Sequence, residues 1–544
     1  MPIEKTKAFP QTRQIIPKLE ILAVGLLLLA VTVGLQYFTG AFQSDLGGEP
    51  DESAHFLNGL CLYDYVATGF PGNPIHYLKD YYQHYPKVAL GHWPPLFAIG
   101  QALWMLVFSA GRTSALLFMG ALTAGIATTI FALLKPRLGP LAAITGATVF
   151  LWLPLVQWCS VTVMTEIPMT VLCLLATLAW ARFLESEKTS YAITFGVLAG
   201  LALLTKQPAM ALAAVPVISV VITGKWMILK RRAFWLPALI VLAFCGPWYW
   251  LVPKLTDLRW SWDATWGWDF TKTAIPYYLT KFYQAMGVGL LVLMCIGICT
   301  RFTSAQKRQD YSIWAALAGL LAGILVVHMT IPVAYEARYL LPALPAAIAF
   351  AAVGGRDIFQ WLNHRGLSRT FAAGIVLALL LIALGIQFHT SVKKTWHGWS
   401  LAADWVLAQP MAKNSSILIA SDSRGEGMFV SEVAVREKRP GSVVRRGSKE
   451  LATSTWNGTR YRVKKMDSVS LLEITTREQI EFIVIDNSIP NDSRLEHLWI
   501  LEKVLKTDPE HFVLQKMFDA QRGKQLYPDA IRIYRVAALA IPEP

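Results

Sequence analysis

The sequence predicts a polytopic α-helical membrane protein that ends in a soluble α/β domain. Of its 544 residues, 54% are apolar and only 16% are charged, which is too apolar for an ordinary soluble protein. Long apolar runs recur up to about residue 390, where the composition changes abruptly. We therefore expect a membrane domain over residues 1–390 and an α/β domain outside the membrane over residues 391–544.

Apolar runs long enough to cross a bilayer predict about eleven transmembrane helices. The first run has no small-residue cleavage site after it, so we interpret it as an uncleaved span. The runs lie near residues 21–38, 113–134, 139–157, 166–184, 190–205, 207–224, 234–252, 284–300, 311–330, 339–355 and 370–389.

The run over residues 94–110 decides the topology. If it lies along the outer surface, the 27 Lys and Arg residues before residue 391 divide 18 inside to 9 outside, whereas a span there gives 11 to 16. The positive-inside rule favours the first arrangement. We therefore expect juxtamembrane helices within an outer loop over residues 40–112. The N-terminus would be cytoplasmic and the C-terminal domain extracytoplasmic, as in a protein of the bacterial inner membrane.

The segment Gly47–Asn58 carries adjacent carboxylates, Asp51 and Glu52, just beyond the first span. Pro50 and the spacing of the apolar residues after it predict a short amphipathic helix that starts at these acids. The positive end of a helix dipole favours an ionised carboxylate, which is the form that a general base needs. The alternative is that the acids only cap the helix.

The predicted topology brings further charged residues to the same outer face, namely Glu166, Lys206 and Arg338. A carboxylate there could take a proton from an acceptor while cations hold a phosphate leaving group. Structural alternatives exist for each residue: Glu166 could cap its helix, Lys206 could snorkel, and Arg338 could bind lipid headgroups. A tryptophan-rich outer loop could stack on a sugar or belong to an aromatic belt, and it contains Trp260, Trp262, Trp266 and Trp268.

Five motifs on this face occur in the order seen in one family. They are Asp51-Glu52, Pro94-Pro95-Leu96, Glu166 ahead of Pro168, Thr205-Lys206, and Tyr339-Leu340-Leu341-Pro342 with Pro345. The pattern resembles the C-type (GT-C) membrane glycosyltransferases, specifically the protein O-mannosyltransferases and the bacterial lipid A aminoarabinose transferases. The resemblance covers roughly residues 15–390.

The resemblance implies an inverting glycosyltransferase whose donor is a polyprenyl-phosphate monosaccharide. It implies that Asp51 is the base, that Glu52 orients Asp51 or the sugar, and that Lys206, Arg338 and Tyr339 bind the donor. Glu166 stands where the family usually has Asp. The acceptor would be a lipid, a glycan or a protein, and no cofactor is expected. A divalent metal held by the three carboxylates is a less favoured alternative.

Two departures from the family pattern concern the donor phosphate. His55 lies where the family often has a basic residue, and His92-Trp93 replaces the Lys that usually precedes Pro-Pro-Leu. The histidines could substitute as hydrogen-bond donors or, when protonated, as cations. The alternative is a purely structural role. Donor binding is therefore where we expect this chain to differ from its relatives.

Two other classes of function are alternatives to a transferase. A transporter or flippase usually shows repeats and ionisable residues near the bilayer midplane, and the sequence shows neither. A receptor would use the C-terminal domain, where the segment Ser421–Gly425 follows a predicted strand at 417–421 and could bind a polar ligand or form an ordinary turn. We expect this domain, with a second strand at 482–485 and a helix at 493–506, to recognise the acceptor. The net charge of +14 does not call for nucleic acid.

Overall fold

The computed structural model describes residues 16–537 apart from residues 90, 257–266, 304–309, 333, 369, 372, 376–377, 379–391, 413–414 and 455–459. Trp260, Trp262 and Trp266 lie outside the described residues, as does most of the predicted span at 370–389. The described chain consists of a helical membrane portion followed by a portion built around a β-sheet.

The membrane portion contains α1 to α14, joined in places by short 3₁₀ helices. The α-helices are α1 (Lys18–Phe38), α2 (Glu52–Ala67), α3 (Pro74–His84), α4 (Leu96–Val107), α5 (Arg112–Leu138), α6 (Pro140–Trp152), α7 (Pro154–Ser160), α8 (Glu166–Ser186), α9 (Thr189–Leu203), α10 (Ala214–Thr223), α11 (Arg232–Thr256), α12 (Trp268–Thr303), α13 (Tyr311–Thr330) and α14 (Leu344–His364). The 3₁₀ helices are Gln207–Ala213, Trp226–Lys230 and Ala337–Ala343.

Seven helices within the described residues are long and apolar enough to cross a membrane, and the bent pair α6 and α7 would make an eighth. The chain is therefore an integral membrane protein, as predicted. The count of eleven is not confirmed, because the runs near 190–205 and 207–224 form shorter apolar helices and the last run is mostly undescribed. Trp268, which we expected within the tryptophan-rich outer loop, is instead the first residue of α12.

Close helix packing in the membrane portion is clearest where α12 crosses α14. A Cβ atom added at Gly297 would lie 2.0 Å from the Phe350 carbonyl oxygen, and one at Gly354 would lie 1.9 Å from the Leu293 carbonyl oxygen. Glycines let the two backbones approach this closely, which maximises van der Waals contact between helices that have no hydrophobic driving force in lipid. The helix α14 held by this crossing directly follows the 3₁₀ helix that carries Arg338.

The helix α4 fills the run whose placement decided the topology. It has 12 residues, about 18 Å at 1.5 Å per residue, which is too short to cross a bilayer. It packs against α2, where Gln101 Nε2 donates a hydrogen bond to the His55 carbonyl (3.0 Å). This is the arrangement that a juxtamembrane helix requires, and it places α4 beside the helix that starts at Asp51.

The C-terminal portion contains a six-stranded mixed sheet in the order β1-β7-β8-β6-β2-β3. Strands β2, β3 and β6 are parallel, whereas β8 is antiparallel to both β6 and β7. The strands are β1 (Trp396–His397), β2 (Ser416–Ala420), β3 (Val443–Arg446), β4 (Ala452–Thr453), β5 (Arg462–Val463), β6 (Ile480–Asp486), β7 (Phe512–Arg522) and β8 (Gln525–Val536), with β4 and β5 forming a separate pair.

Five helices accompany the sheet: α15 (Trp399–Leu407), α16 (Ser423–Arg436), α17 (Gly447–Glu450), α18 (Ser468–Arg477) and α19 (Glu496–Thr507). The two predicted strands correspond to β2 and β6, and the predicted helix corresponds to α19. Leu498 and Leu501 are buried as expected, but Leu495 precedes the helix and is 39% exposed.

The C-terminal portion is seated on the outer loop. Arg439 forms two hydrogen bonds to the Asp64 carboxylate (2.7 and 3.0 Å), and Arg112 bridges Asp45 and Glu432 (2.7 Å each). These contacts involve largely buried side chains. The outer loop is thus bound to α16 and to the residue segment that follows it.

Candidate active site

Asp51 stands at the N-cap position of α2, yet its side chain makes no capping hydrogen bond. Within the described residues, its carboxylate also has no other hydrogen bond or ion pair, and the residue is partly exposed. The alternative that Asp51 merely caps the helix is therefore not supported. A partly exposed carboxylate with free lone pairs at a positive helix end is able to accept a proton.

Glu52, the neighbouring acid, has a different environment. Its side chain is fully buried, and Oε1 accepts hydrogen bonds from Lys394 Nζ (2.6 Å) and the Val163 N–H (3.0 Å). Oε2 accepts one from the Gly48 N–H (2.8 Å). Both oxygens are thus occupied by protein groups. Of the two predicted roles, this geometry fits orienting Asp51 rather than touching the sugar.

Glu166 is the first residue of α8, and its buried carboxylate forms the centre of an ion-pair cluster. Oε1 pairs with Lys206 Nζ and with Arg338 Nε (3.1 Å). Because the side chain binds these cations, it does not act as a helix cap. Lys206 is largely buried in this pair, so the snorkelling alternative does not describe it either.

Arg338 contacts two further carboxylates that the sequence did not single out. Its Nη1 lies 2.7 Å from Glu49 Oε2, and its Nη2 lies 3.6 Å from Glu336 Oε1. Burial raises the pKa of the Glu336 carboxyl. The cluster therefore contains three acids for two cations, and a phosphate entering it would meet cations that already have carboxylate partners.

The Tyr339 ring packs between charged and aromatic neighbours. Lys206 Nζ lies 4.7 Å from the ring centroid, within the range of a cation–π interaction. The buried ring of His328 stacks against Tyr339 at 5.2 Å and 24° and lies 5.5 Å from Tyr278. Sequence reasoning missed His328, although an ionisable residue near the end of an apolar run is itself a signal of function.

His55 lies one turn after Asp51 in α2 and is buried, with its ring 4.2 Å from the Trp93 ring. Burial lowers the pKa of His55 to about 4, although Asp51 and Glu166 raise it, while Lys206 and Arg338 lower it further. All four charged groups therefore lie within electrostatic range of this one ring. The predicted base and the ion-pair cluster therefore both lie in the neighbourhood of His55.

His92 is packed against Trp93 at 4.6 Å, and burial lowers its pKa to about 4 as well. Both histidines are consequently uncharged near neutral pH. The interpretation of His55 and His92 as cations that replace missing basic residues is not supported, because burial opposes protonation. Their interpretation as hydrogen-bonding groups stays a prediction.

Lys87, which the sequence showed only as a cation of the outer loop, reaches the C-terminal portion. Its Nζ donates hydrogen bonds to the Ser423 carbonyl and hydroxyl (2.9 Å each). Burial lowers the pKa of this lysine to about 7, while Asp51 raises it. Lys87 therefore lies within electrostatic range of the predicted base and is hydrogen-bonded to the start of α16.

The segment Ser421–Gly425, considered as a binding loop, uses its polar groups internally. Asp422 accepts a hydrogen bond from the Gly425 N–H (2.8 Å) and pairs with Arg522 (2.7 Å). The Ser421 hydroxyl donates to Asp486 (2.6 Å). This is the start of an ordinary capped helix, which agrees with the turn alternative.

A metal centre has no evident ligand set in the described part of the chain. No group of three or more His, Cys, Asp or Glu side chains is arranged there to hold a metal ion. The three acids considered as metal ligands each have different surroundings; they are Asp51, Glu52 and Glu166.

Comparisons with known proteins give matches in sequence and in structure. The sequence model of the family described as dolichyl-phosphate-mannose-protein mannosyltransferase matches residues 92–250. The crystal structure of ArnT from Cupriavidus metallidurans bound to undecaprenyl phosphate aligns over 96% of this chain and 99% of that chain, with a TM-score of 0.55 and 13% identity. The chain has the C-type glycosyltransferase fold. The apo state of the same protein gives a TM-score of 0.56 at 14% identity, with the same coverage.

The structural similarity covers 96% of this chain, so it is not confined to the membrane portion. The resemblance expected from the five motifs is thus confirmed. No curated protein sequence matches this chain. The family match contains Glu166 and Lys206, whereas Asp51 and Arg338 lie outside it.

Proposed function

We propose that the protein is an inverting membrane glycosyltransferase that moves a monosaccharide from a polyprenyl-phosphate donor to a hydroxyl of a lipid, glycan or protein acceptor. Asp51 is the general base in this reaction. The proposal is carried by two observations within a C-type fold: the Asp51 carboxylate has no hydrogen-bond or ion-pair partner among the described residues, and Glu166, Lys206 and Arg338 form a buried ion-pair cluster.

The role of Asp51 follows from its surroundings. A base must be ionised, accessible and able to accept a proton from the attacking hydroxyl. Asp51 is partly exposed, stands at the positive end of α2 and has oxygens without a partner in the described part of the chain, whereas the adjacent Glu52 is buried and bound. Attack on the anomeric carbon from the side opposite the phosphate inverts its configuration.

Lys206 and Arg338 bind the donor phosphate, and Tyr339 lies against them. As the bond to the sugar breaks, negative charge grows on the phosphate, and fixed cations stabilise it. An ammonium group has three N–H donors, and among the described residues Glu166 is the hydrogen-bond partner of Lys206. Glu166 therefore keeps the cations in place and leaves donors for a phosphate oxygen. In this proposal, the approach to the phosphate site is lined by uncharged groups, namely His55, His92 and Trp93.

A polyprenyl-phosphate donor is supported by both comparisons. The matched family is described by a dolichyl-phosphate sugar, and the matched ArnT structure holds undecaprenyl phosphate. The apolar helices place the chain in the membrane where such a donor resides. In our proposal the site faces the outside of a bacterial inner membrane, with the N-terminus in the cytoplasm and the C-terminal domain, residues 391–544, in the periplasm.

The proposal is tested by supplying labelled polyprenyl-phosphate sugars and an envelope extract as acceptor to the purified protein in lipid. We expect transfer by the wild type and a loss of about 10²- to 10⁴-fold in rate for Asp51→Asn, the range for removal of a general base. Asp80→Asn is the control, because Asp80 is an exposed acid of the same outer loop. Equal rates for Asp51→Asn and wild type would refute the assignment of the base.

A further inference from the structure

We propose that Lys394 is a positioning residue for the transfer reaction, acting through Glu52. It joins the helix start that carries Asp51 to the turn that leads into Glu166. The inference rests on the proposed function for its catalytic meaning, although the structural connection stands on contacts alone.

Lys394 is a fully buried lysine at the entry to the C-terminal portion. Its Nζ donates hydrogen bonds to Glu52 Oε1 (2.6 Å) and to the Val161 carbonyl (2.8 Å). Its backbone N–H donates to the Thr39 carbonyl at the end of α1 (2.9 Å). One residue is therefore bound to the first span, to α2 and to the segment between α7 and α8.

Glu52, the carboxylate partner of Lys394, makes further contacts with the backbone. It also accepts hydrogen bonds from the Val163 N–H (3.0 Å) and the Gly48 N–H (2.8 Å). Asp51 immediately precedes Glu52, and Glu166 follows Val163 by three residues. The Lys394–Glu52 pair therefore fixes the backbone beside the base and the backbone that leads to the ion-pair cluster.

The Lys394–Glu52 ion pair is not accessible to substrate. A Cβ atom added at Gly48 would lie 2.6 Å from the Thr162 methyl carbon and 3.1 Å from Glu52 Oε2, so little free space remains around the carboxylate. Lys394 and Glu52 are each 0% exposed. Neither side chain can reach a sugar or phosphate from there, so their influence on the reaction has to pass through the backbone that they hold.

Charge explains why the connection depends on this lysine. A buried carboxylate that loses its cation is left uncompensated in a medium of low dielectric, and the surrounding chain must rearrange to hydrate or protonate it. Glu166 has Lys206 and Arg338 as cations of its own. Within the described residues, Lys394 is the cation paired with Glu52. Its removal therefore acts on the Asp51 side of the site.

The first test compares hydrogen–deuterium exchange of wild type and Lys394→Met in lipid nanodiscs. We expect faster exchange in residues 47–58 and 161–166 of the variant, with residues in α13 unchanged. Lys393→Met is the matched control, because the adjacent Lys393 is exposed and its partner among the described residues is the Phe38 carbonyl. Wild-type exchange in both segments would overturn the inference. The exchange measurement needs no substrate. A wild-type protein without transferase activity would therefore refute the proposed function, but the exchange result would still test the structural connection.

The second test uses the transfer assay. Lys394→Met is expected to lower kcat about tenfold or more, because a small displacement of a catalytic group slows a reaction strongly, while the KM for the donor stays within about twofold. The double variant Glu52→Gln with Lys394→Met should recover part of the loss, since no unpaired charge remains. In an Asp51→Asn background, Lys394→Met should have no further effect on kcat. A full additional loss there would show that Lys394 does not act through Asp51.

Discussion

At the scale of single residues, burial and partners separate groups that look equivalent in the sequence. Asp51 and Glu52 are adjacent carboxylates, but among the described residues only Asp51 has free oxygens, because Glu52 is bound by Lys394 and two backbone N–H groups. His55 and His92 are kept neutral by burial, in spite of the acids around them. The residue types alone do not determine these differences.

The stability of the protein should depend on pH through His55. Its pKa falls from 6.5 to about 4 on folding, so below pH 6.5 the unfolded chain binds a proton that the folded chain does not. Stability is therefore complete above pH 6.5 and decreases as the pH falls towards 4, by about 2 kcal/mol at pH 5 from this group. We expect the free energy of unfolding in detergent micelles to decrease less between pH 7.5 and 5 in His55→Gln than in wild type.

The control for this measurement is His76→Gln, since His76 is exposed on α3. It should show the same pH dependence as wild type. A His55 imidazole resonance that titrates near pH 6.5 in the folded protein would contradict the prediction, as would identical pH dependence in all three proteins.

At the scale of elements, α2 is the helix around which the site is assembled. Its start carries Asp51, its first turns pack on α4, and α16 of the C-terminal portion packs along it. Ser431 of α16 lies close enough to Ser53 for their hydroxyls to approach to 3.4 Å. Small side chains along this contact let α16 approach α2, and so the C-terminal portion helps to set the orientation of the base.

Enlarging Gly427 should push the two helices apart. A Cβ atom there would lie 3.0 Å from Lys87 Cε and 3.1 Å from Ser53 Cβ. We expect Gly427→Leu to cost about 1–3 kcal/mol of stability through overpacking and to reduce transfer. The measurement is the thermal midpoint in detergent together with kcat. Gly125→Leu is the control, because Gly125 is exposed on α5 and an added Cβ meets no atom within 4 Å. Equal midpoints for the two variants would contradict the packing argument.

At the scale of the whole molecule, the membrane portion and the sheet are joined by ion pairs that are largely buried. Arg439 binds Asp64, which also accepts a hydrogen bond from Tyr81 (2.8 Å), and Arg112 binds Glu432. The C-terminal portion was expected to recognise the acceptor, and that role stays a proposal. The contacts of the C-terminal portion give it a second role, because it supplies ion-pair partners for the buried charges of the outer loop.

The two portions should unfold together. We expect protease cleavage in residues 391–544 and loss of donor binding to occur at the same temperature, in one thermal transition. Arg439→Met leaves Asp64 without its cation and should lower the free energy of unfolding by about 3 kcal/mol, as for other buried pairs that lose a partner. Lys465→Met is the control, since its pair with Asp467 is exposed and worth little. Two well-separated transitions in wild type would refute the coupling.

The sequence by itself determined the membrane class, the C-terminal α/β portion and the identity of the charged residues on one face. Apolar run length and composition are local properties, and they suffice to recognise spans and buried strands such as β2 and β6. Ordered motifs were enough to recognise the C-type fold. The span count was less certain, because a run of 16–18 apolar residues fits either a full span or a shorter helix, as α9 shows.

Only the tertiary structure decided which of these residues are free, which are paired and which are neutral. Lys394 and His328 reach the site from parts of the chain far from Asp51. Glu49 lies only two residues before Asp51, but its contact with Arg338 is a long-range one that the sequence does not show. The charge state of His55 depends on burial by Trp93, Phe97 and their neighbours, which folding alone provides. Long-range contacts and desolvation are collective properties of the folded chain, and for that reason the sequence identified the candidate base while the structure distinguished it from the glutamate beside it.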